Sequence, residues 1–267
     1  MNVDRRDFLG MSAATLVAAR LGMTQESKKD PTKFQVACMT LPYSQFPLDR
    51  ALSGIKSAGY TYVALYTTHK EEGKPVPVIA ADDPPEKAKA VGQRCRDLGL
   101  EPLLMFSGIY PEAKNGLEVL TQRLKQAAAG KIPHVLTFGH TKGGNRELWV
   151  ERFRKLGPIA RDLGVLLVVK QHGGETGTGK ACADEVRSFC IKDHRNFPKS
   201  EDCGPGLGEI DHYKLLHAVA WTGRAMPLCC ENIFAPLVPR PKDPEGVDQM
   251  ARRAREFLET VINGLQR

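Results

Sequence analysis

The sequence predicts an α/β protein arranged as a (β/α) barrel. From residue 34 onward, short apolar runs rich in β-branched residues alternate with longer segments of helical period, the pattern of parallel βα units. Helix-glycine-strand junctions recur at Ala58-Gly59, Leu98-Gly99, Leu163-Gly164 and Thr222-Gly223, where a glycine ends each helix in left-handed geometry. No GxGxxG or GxxxxGK[ST] loop is present, so the phosphate-binding signature of an open doubly wound sheet is missing. The 267 residues match the length of a single barrel, about 250 residues.

In chain order, the expected strands are Phe34–Met39, Tyr62–Tyr66, Pro102–Phe106, His134–Phe138, Leu166–Lys170, Phe189–Lys192 and Pro227–Cys230. Each is a short apolar run bounded by turn residues, as buried parallel strands are. The expected helices are Leu48–Ala58, Pro85–Leu98, Gly116–Ala129, Glu147–Leu163, Asp211–Thr222 and Pro244–Leu265. One interval breaks the rhythm. Only 18 residues, 171–188, separate the fifth strand from the next, too few for another strand and full helix. Either the barrel closes with seven strands, or it is open at one seam, or an element around the sixth strand has been lost.

Hydrophobic residues make up 42% and charged residues 26%, ordinary values for a globular protein that exclude fibrous and disordered classes. The net charge of +7 is spread along helical segments, which argues against a nucleic-acid partner. Arg5-Arg6-Asp7-Phe8-Leu9-Gly10 precedes an apolar run of 11 residues, Met11 to Leu21, too short for a membrane span of about 20. Residues 1–30 therefore read as a twin-arginine export signal and linker, with 31–267 as one barrel domain. The expected location is the periplasm, or the membrane face if the leader stays uncleaved. Seven cysteines, an odd number without CxxC spacing, support neither a zinc ribbon nor a disulfide scaffold.

In such a barrel the residues just past each strand converge on one mouth. The candidates are His69 after the second strand, His140 after the fourth, and Lys170 with His172 after the fifth. Lys192-Asp193-His194-Arg195 follows the sixth predicted strand and Glu231-Asn232 the last. Glu231, His172, Asp193, Lys170 and Lys192 are expected to carry chemistry. His140, His194, Arg195, His69 and Asn232 are expected to contact substrate. Glu231 also reads as a carboxylate salt-bridged to Lys170 or Lys192. His212 and His217 read as structural. Gly204–Asp211 reads as a positioning loop, with Asp211 capping a helix and a lid as the second option; Gly143-Gly144-Asn145 offers backbone amides to an anion.

Lys170-Gln171-His172-Gly173-Gly174, Ile191-Lys192-Asp193-His194, Gly206 to Asp211 and Pro227-Leu228-x-x-Glu231 together resemble the xylose isomerase-like TIM-barrel family of sugar isomerases and epimerases. The resemblance covers roughly residues 34–265. It implies a divalent metal, Mn, Mg or Co, held by acidic residues and a His on the last four strands. It further implies proton transfer between adjacent sugar carbons through an enediolate, on a small sugar or polyol. Glu231 matches the family's last ligand. Lys170 and Cys190 stand where the family has a Glu and a His, and the sixth-strand Asp has no counterpart. The readings are an isomerase, epimerase or related lyase, or a catalytically impaired barrel that binds sugars without converting them. Homo-oligomer formation is left open. The family's DNA-repair branch, with its multi-zinc site, fits neither the export signal nor these residues.

Overall fold

The computed structural model describes residues 30–140, 143–170 and 185–265. Seven strands lie parallel in one sheet: β1 (Lys33–Met39), β2 (Tyr62–Leu65), β5 (Glu101–Phe106), β6 (His134–Phe138), β7 (Leu166–Lys170), β8 (Phe189–Ile191) and β11 (Ala225–Cys230). The remaining strands form two antiparallel hairpins, β3 (Thr68–Glu71) with β4 (Lys74–Pro77), and β9 (Asp193–Arg195) with β10 (Glu201–Cys203). The helices are α1 (Leu48–Ser57), α2 (Pro85–Asp97), α3 (Gly116–Gly130), α4 (Arg146–Asp162), α5 (His212–His217) and α6 (Pro244–Leu265).

The strand order β7-β6-β5-β2-β1-β11-β8 curls into a nearly closed barrel. Among the described residues β7 and β8 are its two edges, and the seam between them is where the sequence has its short interval. Ala37, Met39, Ala64, Leu104, Leu136 and Cys229 fill the inside and are fully or almost fully buried. A second, larger apolar layer lies between sheet and helices, with Leu52, Ile55, Leu120, Leu124, Leu156 and Leu258 at its centre. Burying such side chains is worth roughly 1.5–3 kcal/mol each.

Helix α6 closes the ring. Its buried stripe Val247, Ala251, Ala254 and Leu258 recurs at helical spacing. Small residues let the helix approach so closely that the Tyr60 hydroxyl donates to the Ala251 carbonyl at 2.8 Å. Arg50 and Tyr43 both reach Asp248, at 2.7 and 2.9 Å, tying α1 to α6. The expected glycine junctions are present: Gly59 has φ of +92°, which an L side chain adopts only with strain.

Three differences from expectation have local causes. The segment 68–77 is a hairpin rather than a loop. Glu72 and Gly73 both have positive φ, +50° and +81°, the geometry that matches strand twist in a two-residue turn, while Pro75 and Pro77 mask its second strand. The residues after Lys192 form a second hairpin. Helix α5 ends at His217 and not near Thr222, because Thr32 captures the chain. Its backbone N–H donates to the Ala220 carbonyl at 2.8 Å and its hydroxyl accepts from the Thr222 N–H at 2.9 Å, replacing helical bonds. Among the described residues no helix is long and apolar enough to cross a membrane.

Candidate functional site

Alternation along the strands decides which side chains enter the mouth, because residues two apart share a face. Above the apolar plug of the barrel stand Tyr66, Phe106, Phe138 and Cys190, all packed against it. Tyr66 and Phe106 lie 5.8 Å apart with their rings tilted, and Phe106 and Phe138 meet edge to face at 5.5 Å. Tyr110 stacks on Phe138 at 4.3 Å. An aromatic floor therefore spans the β2, β5 and β6 side.

Lys170 and Glu231 rise from the opposite side. Lys170 shares a face with the inward Val168 and ends β7, while Glu231 shares a face with Cys229 and follows β11. The Lys170 ammonium pairs with Glu231 Oε1, the two side chains being 13% and 14% exposed. The same ammonium lies 5.7 Å from the centroid of the Phe106 ring, a cation–π distance. Glu231 Oε2 is buried and has no hydrogen-bond partner among the described residues. A buried carboxylate oxygen without a donor is costly, so this atom has an acceptor capacity that the described residues leave unused. Beside the pair, burial pushes the Cys190 thiol up to about 12, with nearby Lys170 opposing and Glu231 adding to the shift, so the thiol is neutral.

A cleft of about 560 Å³ opens beside Glu231, with Leu41, Phe46, Lys192, Asp202 and Asn232 among its walls. Its rim is a small polar network. Lys192 pairs with Asp202, which also takes the His194 Nδ1 contact at 2.9 Å, while His194 Nε2 meets the Ser200 hydroxyl at 3.1 Å. Asn232 Nδ2 donates to the Asp202 carbonyl at 3.1 Å. Desolvation is the largest influence on Asp202 and raises its pKa, but the bonds from Lys192 and His194 together outweigh it and hold the carboxyl below its ordinary value.

Of the ten residues the sequence singled out, Lys170, Lys192, Glu231, Asn232 and His194 lie at this mouth and rim. Four others are placed differently. Asp193 does not face the mouth: it follows Lys192 directly in extended chain, so its side chain leaves on the other side. It is fully buried. Its Oδ1 accepts from the His194 and Ile210 N–H groups at 2.8 and 3.0 Å, and Oδ2 accepts from the Gly206 N–H at 3.1 Å. His212 Nδ1 stands 3.8 Å away. Asp193 is thus the anchor around which 204–211 folds, a placement away from the mouth that the sequence did not anticipate and that favours the positioning reading of that loop over a lid. A Cβ on Gly208 would lie 2.4 Å from Asp193 Oδ1, so only glycine fits there.

His69 is 2% exposed, its Nδ1 2.9 Å from the Phe46 carbonyl. The hairpin turns it inward under that loop instead of toward substrate, and burial lowers its pKa. Arg195 folds back on its own loop, donating from Nε to the Phe197 carbonyl at 2.9 Å. His140 pairs through Nδ1 with Glu112 Oε1 at 2.9 Å, both largely buried. Glu112 was missed, since it lies in a loop well past the end of β5; its nearness to Tyr110, on the aromatic floor, was the only cue. His172, with the rest of 171–184, lies outside the described residues, as does the leader. Asp211 and Asn145 cap α5 and α4, accepting from the Lys214 and Leu148 N–H groups at 2.8 Å.

The divalent metal implied by the resemblance does not fit the described residues. No group of three His, Cys, Asp or Glu among them is placed to hold an ion. Glu231 is the one carboxylate of the Lys170 pair, and its partner is an ammonium, whereas hard divalent ions need several oxygen or nitrogen donors.

No family model matches the sequence, and no curated protein matches it. Solved structures do match in fold. A fusion of a xylose isomerase-like TIM barrel with 4-hydroxyphenylpyruvate dioxygenase superposes with a TM-score of 0.62 at 16% identity over 88% of this chain, which spans 44% of that protein's length. A xylose isomerase-like TIM barrel from Mycobacterium smegmatis, in complex with magnesium, gives 0.59 at 14% identity, covering 86% of this chain and 97% of that one. The 3-keto-D-glucoside 4-epimerase of E. coli gives 0.59 at 13% identity, covering 85% and 100%. These likenesses define the class: the chain is an α/β TIM-type barrel whose structural neighbours are xylose isomerase-like.

Proposed function

We propose that this barrel is a sugar isomerase- or epimerase-like enzyme acting on a small keto-sugar or polyol at the mouth beside Glu231. The observation that carries the reading is the buried Oε2 of Glu231, without a hydrogen-bond partner among the described residues, on a residue that lines a cleft large enough for a small sugar. Its structural likeness to a 3-keto-D-glucoside 4-epimerase and a D-tagatose 3-epimerase-like protein supports it by fold alone.

In this reading Glu231 takes a proton from the carbon next to a carbonyl. The C–H electron pair becomes the C=C bond of an enediolate and the carbonyl π pair moves to oxygen, as general-base catalysis requires. In an isomerisation Glu231 returns the proton to the neighbouring carbon while the hydroxyl proton there passes to the former carbonyl oxygen; in an epimerisation the opposite face of the same carbon takes a proton from solvent, and Glu231 gives up its own to water. Phe106 and Tyr66 exclude water below, and Lys192 and Asn232 stand where substrate hydroxyls enter. His140, oriented by Glu112, lies past the end of β6 and is proposed as a second substrate contact.

The test is exchange of the carbon-bound proton into D₂O, followed by proton NMR over a panel of keto-pentoses and keto-hexoses. Exchange in the wild type that Glu231→Gln abolishes supports the reading. Saturable sugar binding without any exchange makes the barrel a binding protein and removes it.

We further propose that residues 1–30 direct export through the twin-arginine pathway, so that the substrate is met outside the cytoplasm. Replacing Arg5 and Arg6 by Lys should retain the protein in the cytoplasmic fraction; unchanged export would reject this.

A further inference from the structure

We propose that the Lys170 ammonium takes the place of a divalent cation at the barrel mouth, so that the positive charge polarising the substrate carbonyl is supplied by a side chain and excludes a metal from the same position. The inference rests on reading the mouth as the reacting site, but its test does not depend on turnover.

Three observations lead to it. First, Lys170 reaches its partner across the seam of the barrel. Lys170 ends the edge strand β7, Glu231 follows β11, and the two are separated by β8 on one side of the ring and by four strands on the other. They still form an ion pair in which both side chains are mostly buried. The ammonium is therefore held against the Phe106 ring and mostly buried, not out in solvent, where such pairs contribute little.

Second, the pair is half used. One Glu231 oxygen meets the ammonium, while the other is buried with no donor among the described residues. A purely structural ion pair in a low-dielectric setting is stable only when the remaining lone pairs are satisfied. The arrangement instead has a cation and a free carboxylate oxygen side by side. A bound carbonyl oxygen beside the ammonium would bring its neighbouring C–H toward Oε2.

Third, the surroundings select against a metal. Another cation at the mouth, Lys192, already engages Asp202, so among the described residues the rim carboxylate is not free to join Glu231 as a second metal ligand. A divalent ion on Glu231 would have to displace the ammonium or sit against it, with repulsion strengthened by burial. A carbonyl dipole or developing enediolate oxygen meets the same ammonium favourably, as preorganised charge does at sites of developing negative charge.

The experiment is Mn²⁺ titration of the chelator-treated full chain, with free Mn²⁺ followed by electron paramagnetic resonance, for the wild type, Lys170→Glu, Lys170→Gln and Lys170→Glu with Glu231→Gln. Circular dichroism checks that each is folded. The wild type is expected to show no saturable Mn²⁺ binding. Lys170→Glu should bind Mn²⁺ saturably and at least about tenfold more tightly than Lys170→Gln, and the added Glu231→Gln should abolish the gain. Lys170→Gln, which keeps the size but not the charge, should fall between them, and it carries the test if Lys170→Glu does not fold. Stoichiometric Mn²⁺ on the wild type that Glu231→Gln removes would overturn the proposal. So would the lack of any gain when the charge at 170 is removed. If the wild type excludes Mn²⁺ but exchanges no sugar proton, the proposed function fails while the charge substitution stands.

Discussion

Two carboxylates in this barrel lie close to β8 and are treated in opposite ways. Asp193 is buried under its own hairpin with backbone N–H donors on both oxygens. Glu231 is buried at the mouth with one oxygen on Lys170 and the other on nothing among the described residues. Satisfied burial holds a fold together, and unsatisfied burial marks a place kept for something else. The comparison separates structure from function more sharply than residue type or position along the strand does.

Variants can break this comparison, and the largest effect belongs to Glu231. Glu231→Gln should lower proton exchange by about 10²–10⁴-fold, the usual range for a lost general base. The fold should lose only about 1 kcal/mol, because the amide oxygen can still accept from Lys170. Exchange rates and urea midpoints on one preparation check both halves.

Asp193→Ala should cost about 3 kcal/mol of stability by stranding three buried donors, read as a lower urea midpoint with an unchanged slope. Gly208→Ala attacks the same anchor from outside. Its methyl would crowd the His194 carbonyl and the Asp193 carboxylate and should cost about 2 kcal/mol, within the range for overpacking.

A smaller effect comes from pH. His69 and His134 both have pKa values lowered by burial, each Nδ1 lying within 2.9 Å of a backbone carbonyl. The unfolded chain binds protons there more readily than the folded one. Stability should therefore fall as pH drops from 7 through the ordinary imidazole range, and the slope should weaken in a His134→Gln variant. Unfolding measured between pH 7 and 5 checks it.

The smallest effect is expected at the rim. Asp202→Asn removes exposed pairing with Lys192 and His194 and should cost roughly 0.5 kcal/mol. Because the Asp202 pKa is lowered in the fold, its contribution is present above the ordinary carboxylate pKa and fades as pH falls through the lowered value. The variant should lose that part of the acid limb.

The barrel was legible because buried parallel strands read as apolar runs. All seven in-sheet strands lie within a residue or two of where the sequence puts them, and His134–Phe138 and Leu166–Lys170 coincide with β6 and β7. The hairpins were not legible, since β4 carries two prolines and β9 three polar residues, neither of which resembles a buried strand. The Lys170–Glu231 pair was legible as one of two expected partners. The placement of Asp193 was not legible because a single residue of register exchanges mouth for underside, which composition does not reveal. The placement of His69 was not legible for a related reason, since it lies in a hairpin and packs against the Phe46 carbonyl.

The most direct measurement puts Glu231→Gln and Asp193→Asn through the same two assays, proton exchange from a keto-sugar and denaturant unfolding. The account predicts a crossed result: the glutamine variant folds close to normally and does not exchange, and the asparagine variant is the less stable of the two while its folded fraction still exchanges. Loss of exchange in folded Asp193→Asn, together with full exchange in Glu231→Gln, would contradict it.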